Sequence, residues 1–338
     1  MTAREVRLDR DLETPAPVVA ILARLEEAGY ETWCVGGAIR DTLLGDTGQD
    51  VDLATAATPD VVRRLFRRTV AVGIEHGTVG VLDDDDVLHE VTTFRRDVRT
   101  DGRHAEVEFG VSLDDDLARR DFTINAVAYH PLRHEWRDPF DGAGDLRRGI
   151  VRAVGDPAAR FREDRLRILR ALRFAARFGF EIDEATWTAA TAQAADTGTL
   201  SAERVREEWI KGVETARSVA DLVQRWIASG VARVWFGECH RSDAAALSRF
   251  SSSPRDAVVA TALWCRPAAT VWRRLKGSSA EIRRAEAIDR GPERPVSAEP
   301  QQVRRWMATV GEAADDLIAI GRCRGGGDWI AAVGGVRS

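Results

Sequence analysis

The stretch that decides the fold runs from Cys34 to Thr55, CVGGAIRDTLLGDTGQDVDLAT. Glu31 to Val35 reads as a strand that runs straight into Gly36-Gly37, after which Ala38 to Leu44 reads as a short helix stopped by Gly45. A second strand follows at Val51-Asp52-Leu53. A strand that feeds a helix through two glycines leaves unpaired backbone N–H groups with no side chains in front of them, which is a phosphate cradle. Arg40, one turn into the helix, adds a guanidinium suited to the same triphosphate. Asp50 and Asp52 flank a single residue, so on a strand both carboxylates project from one face, where a hard divalent cation such as Mg²⁺ bridges them. An Asp-x-Asp alone is a common solvated pattern; the glycine pair and the arginine beside it turn the reading toward a nucleotide and its metal.

Upstream, residues 17 to 28 (PVVAILARLEEA) carry apolar positions at helical spacing and end at Gly29. Downstream, Thr58-Pro59-Asp60 opens a helix with proline in its first turn. From Val70 to Phe94 the segments VAVG, GTVGVL and VLHEVTTF read as strands separated by glycines and by the acidic turn Asp83 to Asp86. Glu90, inside the β-branched run, is the candidate third acid of a two-metal site; its plain alternative is a solvent-facing strand residue. Phe94 to Gly110, of mixed charge, predicts a mobile loop. Beyond Asp138 helical periodicity takes over through Phe161 to Phe178, Ala202 to Thr215 and Val219 to Ala228. The class is α+β: a small mixed sheet at the N-terminal end and an all-α C-terminal half. Gly291 to Pro300 reads as a linker, and the glycine-rich end RGGGDWIAAVGGVRS predicts poor order.

Composition sets the bounds. A length of 338 residues suggests two or three domains, and 44% hydrophobic with 30% charged residues fits a globular chain rather than a disordered or membrane-spanning one. The first residues, MTAREVRLDRDLETPAPVVA, lack the apolar stretch of a secretory signal, so a cytoplasmic location is expected. Cys34, Cys239, Cys265 and Cys323 lie far apart, which predicts reduced, mostly buried thiols and neither a disulfide framework nor a zinc site. A net charge of −5 excludes attraction of a polyanion by the whole-molecule field, leaving local patches. Those patches are arginine, since Lys211 and Lys276 are the only lysines; a GC-rich genome explains much of that bias.

Three segments in order, GGAIRDTLLG…DVDLAT, RRDFTINA at Arg119 to Ala126 and EDRLRILRALRFAARFGF at Glu163 to Phe180, resemble the class II tRNA nucleotidyltransferase and bacterial poly(A) polymerase family over roughly residues 17 to 235. The resemblance implies a nucleotidyltransferase head (1–141), a helical neck that selects the nucleobase (142–215), a helical body (216–280) and a short tail (281–338). It implies template-independent addition of CCA to the 3′ end of tRNA from CTP and ATP, with Mg²⁺ and release of pyrophosphate, and no membrane or protein partner. Asp50 and Asp52 match the family's metal-binding acids, joined here by Glu90. Gly36, Gly37 and Arg40 match its triphosphate turn, and Arg119, Arg120, Asp121 and Asn125 match the segment that holds ribose and phosphates.

Glu163, Asp164 and Arg167 match the family's base-reading motif. From the residues themselves, Asp164 and Arg167 are three apart on an expected helix, so a carboxylate acceptor and guanidinium donors share one face. Cytosine and adenine satisfy that edge, whereas uracil and guanine meet acceptor with acceptor and donor with donor, at about 1–3 kcal/mol per unpaired buried group. The neck arginines Arg160, Arg162, Arg165, Arg170, Arg173 and Arg177 offer a phosphate-facing groove. The family's flexible loop corresponds to 94–110, which disfavours a CC-only enzyme, and VGIEHGTVGV at 72–81 looks like the CCA-adding version. His76 reads as structural, no HxxHD-type phosphohydrolase signature is seen, and the tail reads as short. An A-adding enzyme or poly(A) polymerase is the enzymatic alternative; a tRNA-binding protein without turnover is the other, disfavoured by the intact acids.

Overall fold

The computed structural model describes residues 8, 11–46, 50–100, 105–237, 246, 249–250 and 255–337. The chain divides into two compact units, Met1–Asp164 with Glu181–Thr186, and Arg165–Phe180 with Trp187–Ser338.

The first unit is built on a seven-stranded mixed sheet. Its strands are β1 (Thr32–Val35), β2 (Asp52–Thr55), β3 (Thr69–Gly73), β4 (Thr78–Leu82), β5 (Leu88–Thr93), β8 (Ala128–His130) and β9 (Glu135–Arg137), in the order β3-β4-β5-β2-β1-β8-β9. Every pairing is antiparallel except β2 with β5. Helix α1 (Ala16–Glu27) buries Val18, Ile21, Leu22 and Leu25, the 3-4 spacing that puts one apolar stripe on the core. Helices α2 (Gly37–Leu43) and α3 (Pro59–Leu65) follow β1 and β2, as the glycine and proline signals predict. One core cluster joins Trp33, Val35 and Ala54 of the sheet to Phe94 and to Leu113 and Leu117 of α4 (Leu113–Ala118). Asp52 pairs with Val35, so its side chain lies on the face that carries this cluster.

Two expectations change here. Phe94–Gly110, expected as a mobile loop, holds regular structure: β6 (Arg95–Thr100) and β7 (Ala105–Phe109) form an antiparallel hairpin, with residues 101–104 outside the described ones. Four of the six residues of β6 (RRDVRT) are charged, and the cross-strand ion pair of Arg96 with Glu108 (2.6 Å) shows how strands this rich in charge still pair, although the composition reads as loop. The part beyond Asp138 is not purely helical either. β10 (Ile150–Val151), between α5 (Gly142–Arg148) and α6 (Pro157–Glu163), pairs in parallel with β11 (Glu181–Ile182), which follows α7 (Leu166–Phe178); each strand is too short to leave a period.

The second unit is helical. Helices α8 (Glu184–Ala192), α9 (Ala202–Thr215), α10 (Val219–Ala228) and α11 (Val231–Trp235) precede the helices Ala257–Trp264, Ala268–Arg274, Ser279–Arg290, Pro300–Val310 and Ala314–Cys323. Trp209, Trp226, Phe236 and Trp264 meet edge to face or tilted in its core, and the Trp209 indole donates to Thr261 Oγ1 at 3.0 Å. The glycine-rich end is a correction: Gly327–Arg337 is helical, and Trp329 is buried against Trp306. Cys34 and Cys323 are free and buried, but Cys265 is in a disulfide, against the expectation of reduced thiols; pairing between residues distant in sequence leaves no spacing signature. Cys239 lies outside the described residues. Among the described residues no helix is long and apolar enough to cross a membrane.

Candidate active site

The site begins where β1 ends. Gly36 has φ +86° and ψ −148°, a conformation closed to residues with a side chain, and a Cβ there would lie 3.0 Å from Asp52 Oδ2 and 3.6 Å from Arg120 Nη1. The missing side chain is what lets the backbone turn approach both an acid and a guanidinium. Gly37 opens α2, and its Cβ would stand 3.3 Å from Arg40 Nη2.

Asp52 is the first residue of β2, half-buried, so Asp50 lies just before the strand and is exposed. Leu53 pairs with Val91 in parallel register, which sets Glu90 beside Asp52 on the neighbouring strand. The electrostatics register this gathering. Burial pushes the Asp52 carboxyl up to about 6, the charges of Glu90 and Asp50 add to the rise, and Arg120 opposes it. The described residues contain no ready-made group of three His, Cys, Asp or Glu ligands. The donor set nonetheless suits a hard cation: three carboxylates, Asp50, Asp52 and Glu90, crowd together, and Mg²⁺ is commonly held by one or two carboxylates with substrate phosphates and water.

Arg40 is placed differently from its expected role as a triphosphate fork. It is 4% exposed, donating from Nη1 to Asn125 Oδ1 at 2.6 Å and from Nε to Asp41 Oδ1 at 2.8 Å. Asn125 Nδ2 in turn donates to Asp121 Oδ1 at 2.8 Å, which also accepts the Phe122 N–H. Arg40, Asn125 and Asp121 thus form one buried relay that fixes the 121–125 segment against α2. Arg119 and Arg120 both turn onto Asp116, Arg119 through Oδ1 (2.8 and 2.9 Å) and Arg120 through Oδ2 (3.1 Å). Asp116 was not singled out from the sequence. Its signal was there, an acid three and four residues before two arginines on a helical segment.

Glu163 Oε1 accepts from Arg160 Nη2 at 2.6 Å, and Arg160 Nη1 donates to Ala118 O at 3.1 Å, tying α6 to the end of α4 beside Arg119. The helix expected to carry Asp164 and Arg167 on one face is interrupted: α6 ends at Glu163, Asp164 is extended (φ −146°, ψ 108°), and α7 restarts after Arg165. The three-residue spacing therefore does not by itself make them neighbours on a helix. Arg173, expected in a phosphate groove, is instead buried and donates to Glu208 at 2.6 Å, its guanidinium 4.3 Å over Phe174. Arg177 sits 4.9 Å over Phe178.

Comparison with known proteins gives three findings. Residues 32–152 match the model of the poly A polymerase head domain. The CCA-adding enzyme of Leuconostoc mesenteroides subsp. mesenteroides is 49% identical over 195 residues, covering 56% of this chain and 48% of the relative, and that of Limosilactobacillus fermentum is 47% identical over 202 residues, covering 58% and 49%. The chain spans about half the length of these curated relatives. Among solved structures, the Bacillus stearothermophilus CCA-adding enzyme in complex with CTP superposes with a TM-score of 0.75 at 30% identity, covering 95% of this chain and 80% of that one. The Thermotoga maritima CCA-adding enzyme complexed with tRNA-CCA shares the fold at a TM-score of 0.72 and 19% identity, covering 97% of this chain and 86% of that one.

Proposed function

We propose that this chain, which belongs to the class II tRNA nucleotidyltransferase and bacterial poly(A) polymerase family, adds CCA to the 3′ end of tRNA from CTP and ATP without a template. The observation that carries the reading is the approach of the Gly36 turn to Asp52 and Arg120, with Glu90 and Asp50 crowding negative charge onto the same carboxyl. In this reading Asp50 and Asp52, with Glu90 beside them, hold a divalent cation, Mg²⁺. Bound there, the cation supplies charge neutralisation for the leaving pyrophosphate and a lower pKa for the attacking 3′-hydroxyl.

The remaining work falls to the chain itself. The backbone N–H groups at Gly36 and Gly37 receive phosphate oxygens. Arg120, already at the edge of that turn, adds positive charge where the triphosphate enters, and Arg119 stands next to it. Arg40, Asn125 and Asp121 keep the 119–125 segment in register with α2. Glu163, Asp164 and Arg167 read the base, with Asp164 as acceptor and Arg167 as donor; the backbone at Asp164 is extended, outside both neighbouring helices. The finer division into head, neck, body and tail ending near 141, 215, 280 and 338 follows the same reading, as does a cytoplasmic site of action, where tRNA and both nucleotides are found.

Asp50→Ala and Asp52→Ala are each expected to abolish nucleotide addition while leaving tRNA affinity intact, measured by extension of labelled tRNA alongside a filter-binding titration. Activity in Asp52→Ala equal to that of the unaltered chain contradicts the metal assignment.

A further inference from the structure

Asp116 is fully buried on α4, yet four N–H groups converge on its carboxyl, from the consecutive residues Arg119 and Arg120 and from the backbone of Arg95. Oδ1 accepts both Nε and Nη2 of Arg119, Oδ2 accepts Nη2 of Arg120, and the backbone N–H of Arg95, first residue of the β6–β7 hairpin, approaches Oδ1 at 3.4 Å. Burial alone would raise its carboxyl, but the two guanidinium charges outweigh it and hold it below the usual carboxylate range. Arg120 Nη1 reaches on to Asn125 O at 3.4 Å, and the same atom is the one 3.6 Å from a Cβ at Gly36. The buried Nε of Arg120 has no partner among the described residues, so Asp116 and the long contact to Asn125 are what orient this guanidinium.

We propose that Asp116 is a positioning residue for nucleotide binding: it splays Arg119 and Arg120 from its two oxygens, aims Arg120 at the Gly36–Asp52 turn and anchors the base of the hairpin to the same point. This rests on the reading of that turn as the triphosphate site. A neutral amide keeps the shape but donates from one side, so it repels one of the two guanidiniums that a carboxylate accepts. Asp114, exposed on the same helix and paired with Arg137, supplies the control.

The test is equilibrium binding of CTP and ATP, and separately of tRNA, to the full chain and to Asp116→Asn, Asp116→Glu and Asp114→Asn. Asp116→Asn is expected to weaken nucleotide binding by about tenfold, the scale of one lost charge-assisted hydrogen bond, with tRNA affinity unchanged. Asp114→Asn binds as the unaltered chain. In an Arg119→Ala, Arg120→Ala background, Asp116→Asn adds no further loss, because its effect passes through those side chains. Equal loss of nucleotide and tRNA affinity, or an additive effect in that background, overturns the proposal. If Asp116→Asn does not fold, Asp116→Glu carries the same prediction, since an added methylene displaces both oxygens; nucleotide binding by that variant equal to the unaltered chain reduces Asp116 to a folding residue. A chain that binds nucleotides, weakens as predicted in Asp116→Asn and never extends tRNA would contradict the proposed reaction while leaving the role of Asp116 standing.

Discussion

At the scale of single residues the account turns on Asp52. Its ordinary carboxyl value of 3.8 rises to about 6 in the folded chain, so between those values the folded state holds a proton that the unfolded state has released. Stability attributable to this residue is therefore complete below 3.8 and is lost as pH rises through about 6. Asp52→Asn should raise the melting temperature of the metal-free protein well above pH 6, with the gain vanishing below 3.8. Added Mg²⁺ should stabilise the unaltered chain and leave this variant unmoved, because a ligand that binds only the folded state shifts stability by mass action. A variant no more stable at the higher pH contradicts the crowding of acids described here. Asp52 and Gly36 were legible in sequence because local spacing and backbone geometry specify them. The placement of Arg40 was not: its partner Asn125 lies 85 residues away, and nothing in GGAIRD tells whether an arginine faces a ligand or is consumed by a buried amide.

At the scale of elements, the reading succeeded where period and punctuation agree. The glycine pair, the proline at the head of α3 and the 3-4 stripes of α9 and α10 each place an element where it is found. It failed where composition masks geometry. Charge hides the strands of the β6–β7 hairpin, since β6 (RRDVRT) has no apolar alternation to read, and an unbroken helical pattern from Phe161 to Phe178 conceals the extended residue Asp164, because a single-residue break alters no periodicity. The glycine-rich end shows the converse error. Glycine lowers intrinsic helix propensity, yet Gly321 and Gly326 lie so close to the Trp329 ring that a Cβ on either would fall within 2.5 Å of it, and that close packing favours the helix. Trp329→Ala should destabilise the C-terminal helices by about 3 kcal/mol, the usual cost of emptying a buried aromatic site. Amide exchange across 300–337 reads this directly, and unchanged protection contradicts the packing described for Trp306 and Trp329.

At the scale of the whole molecule, a chain of net charge −5 is proposed to bind a polyanion, which leaves recognition to local arginine-bearing surfaces rather than to the overall field. Each unit has its own core, the first around Trp33 and Phe94 and the second around its tryptophan cluster, so the mixed sheet and the helical remainder are separately specified by sequence. The residues proposed for catalysis, Asp50, Asp52 and Glu90, belong to the first unit, and the choice of nucleotide is proposed for Glu163, Asp164 and Arg167. Both are tested together by one measurement: purified protein, a tRNA ending at its discriminator base, and CTP with ATP supplied at once, with the products sequenced. The account predicts that C, C and A are added in that order and that addition then stops. Tracts of A on unrelated RNA, addition of A alone to tRNA already ending in CC, or no extension with Mg²⁺ present would contradict it.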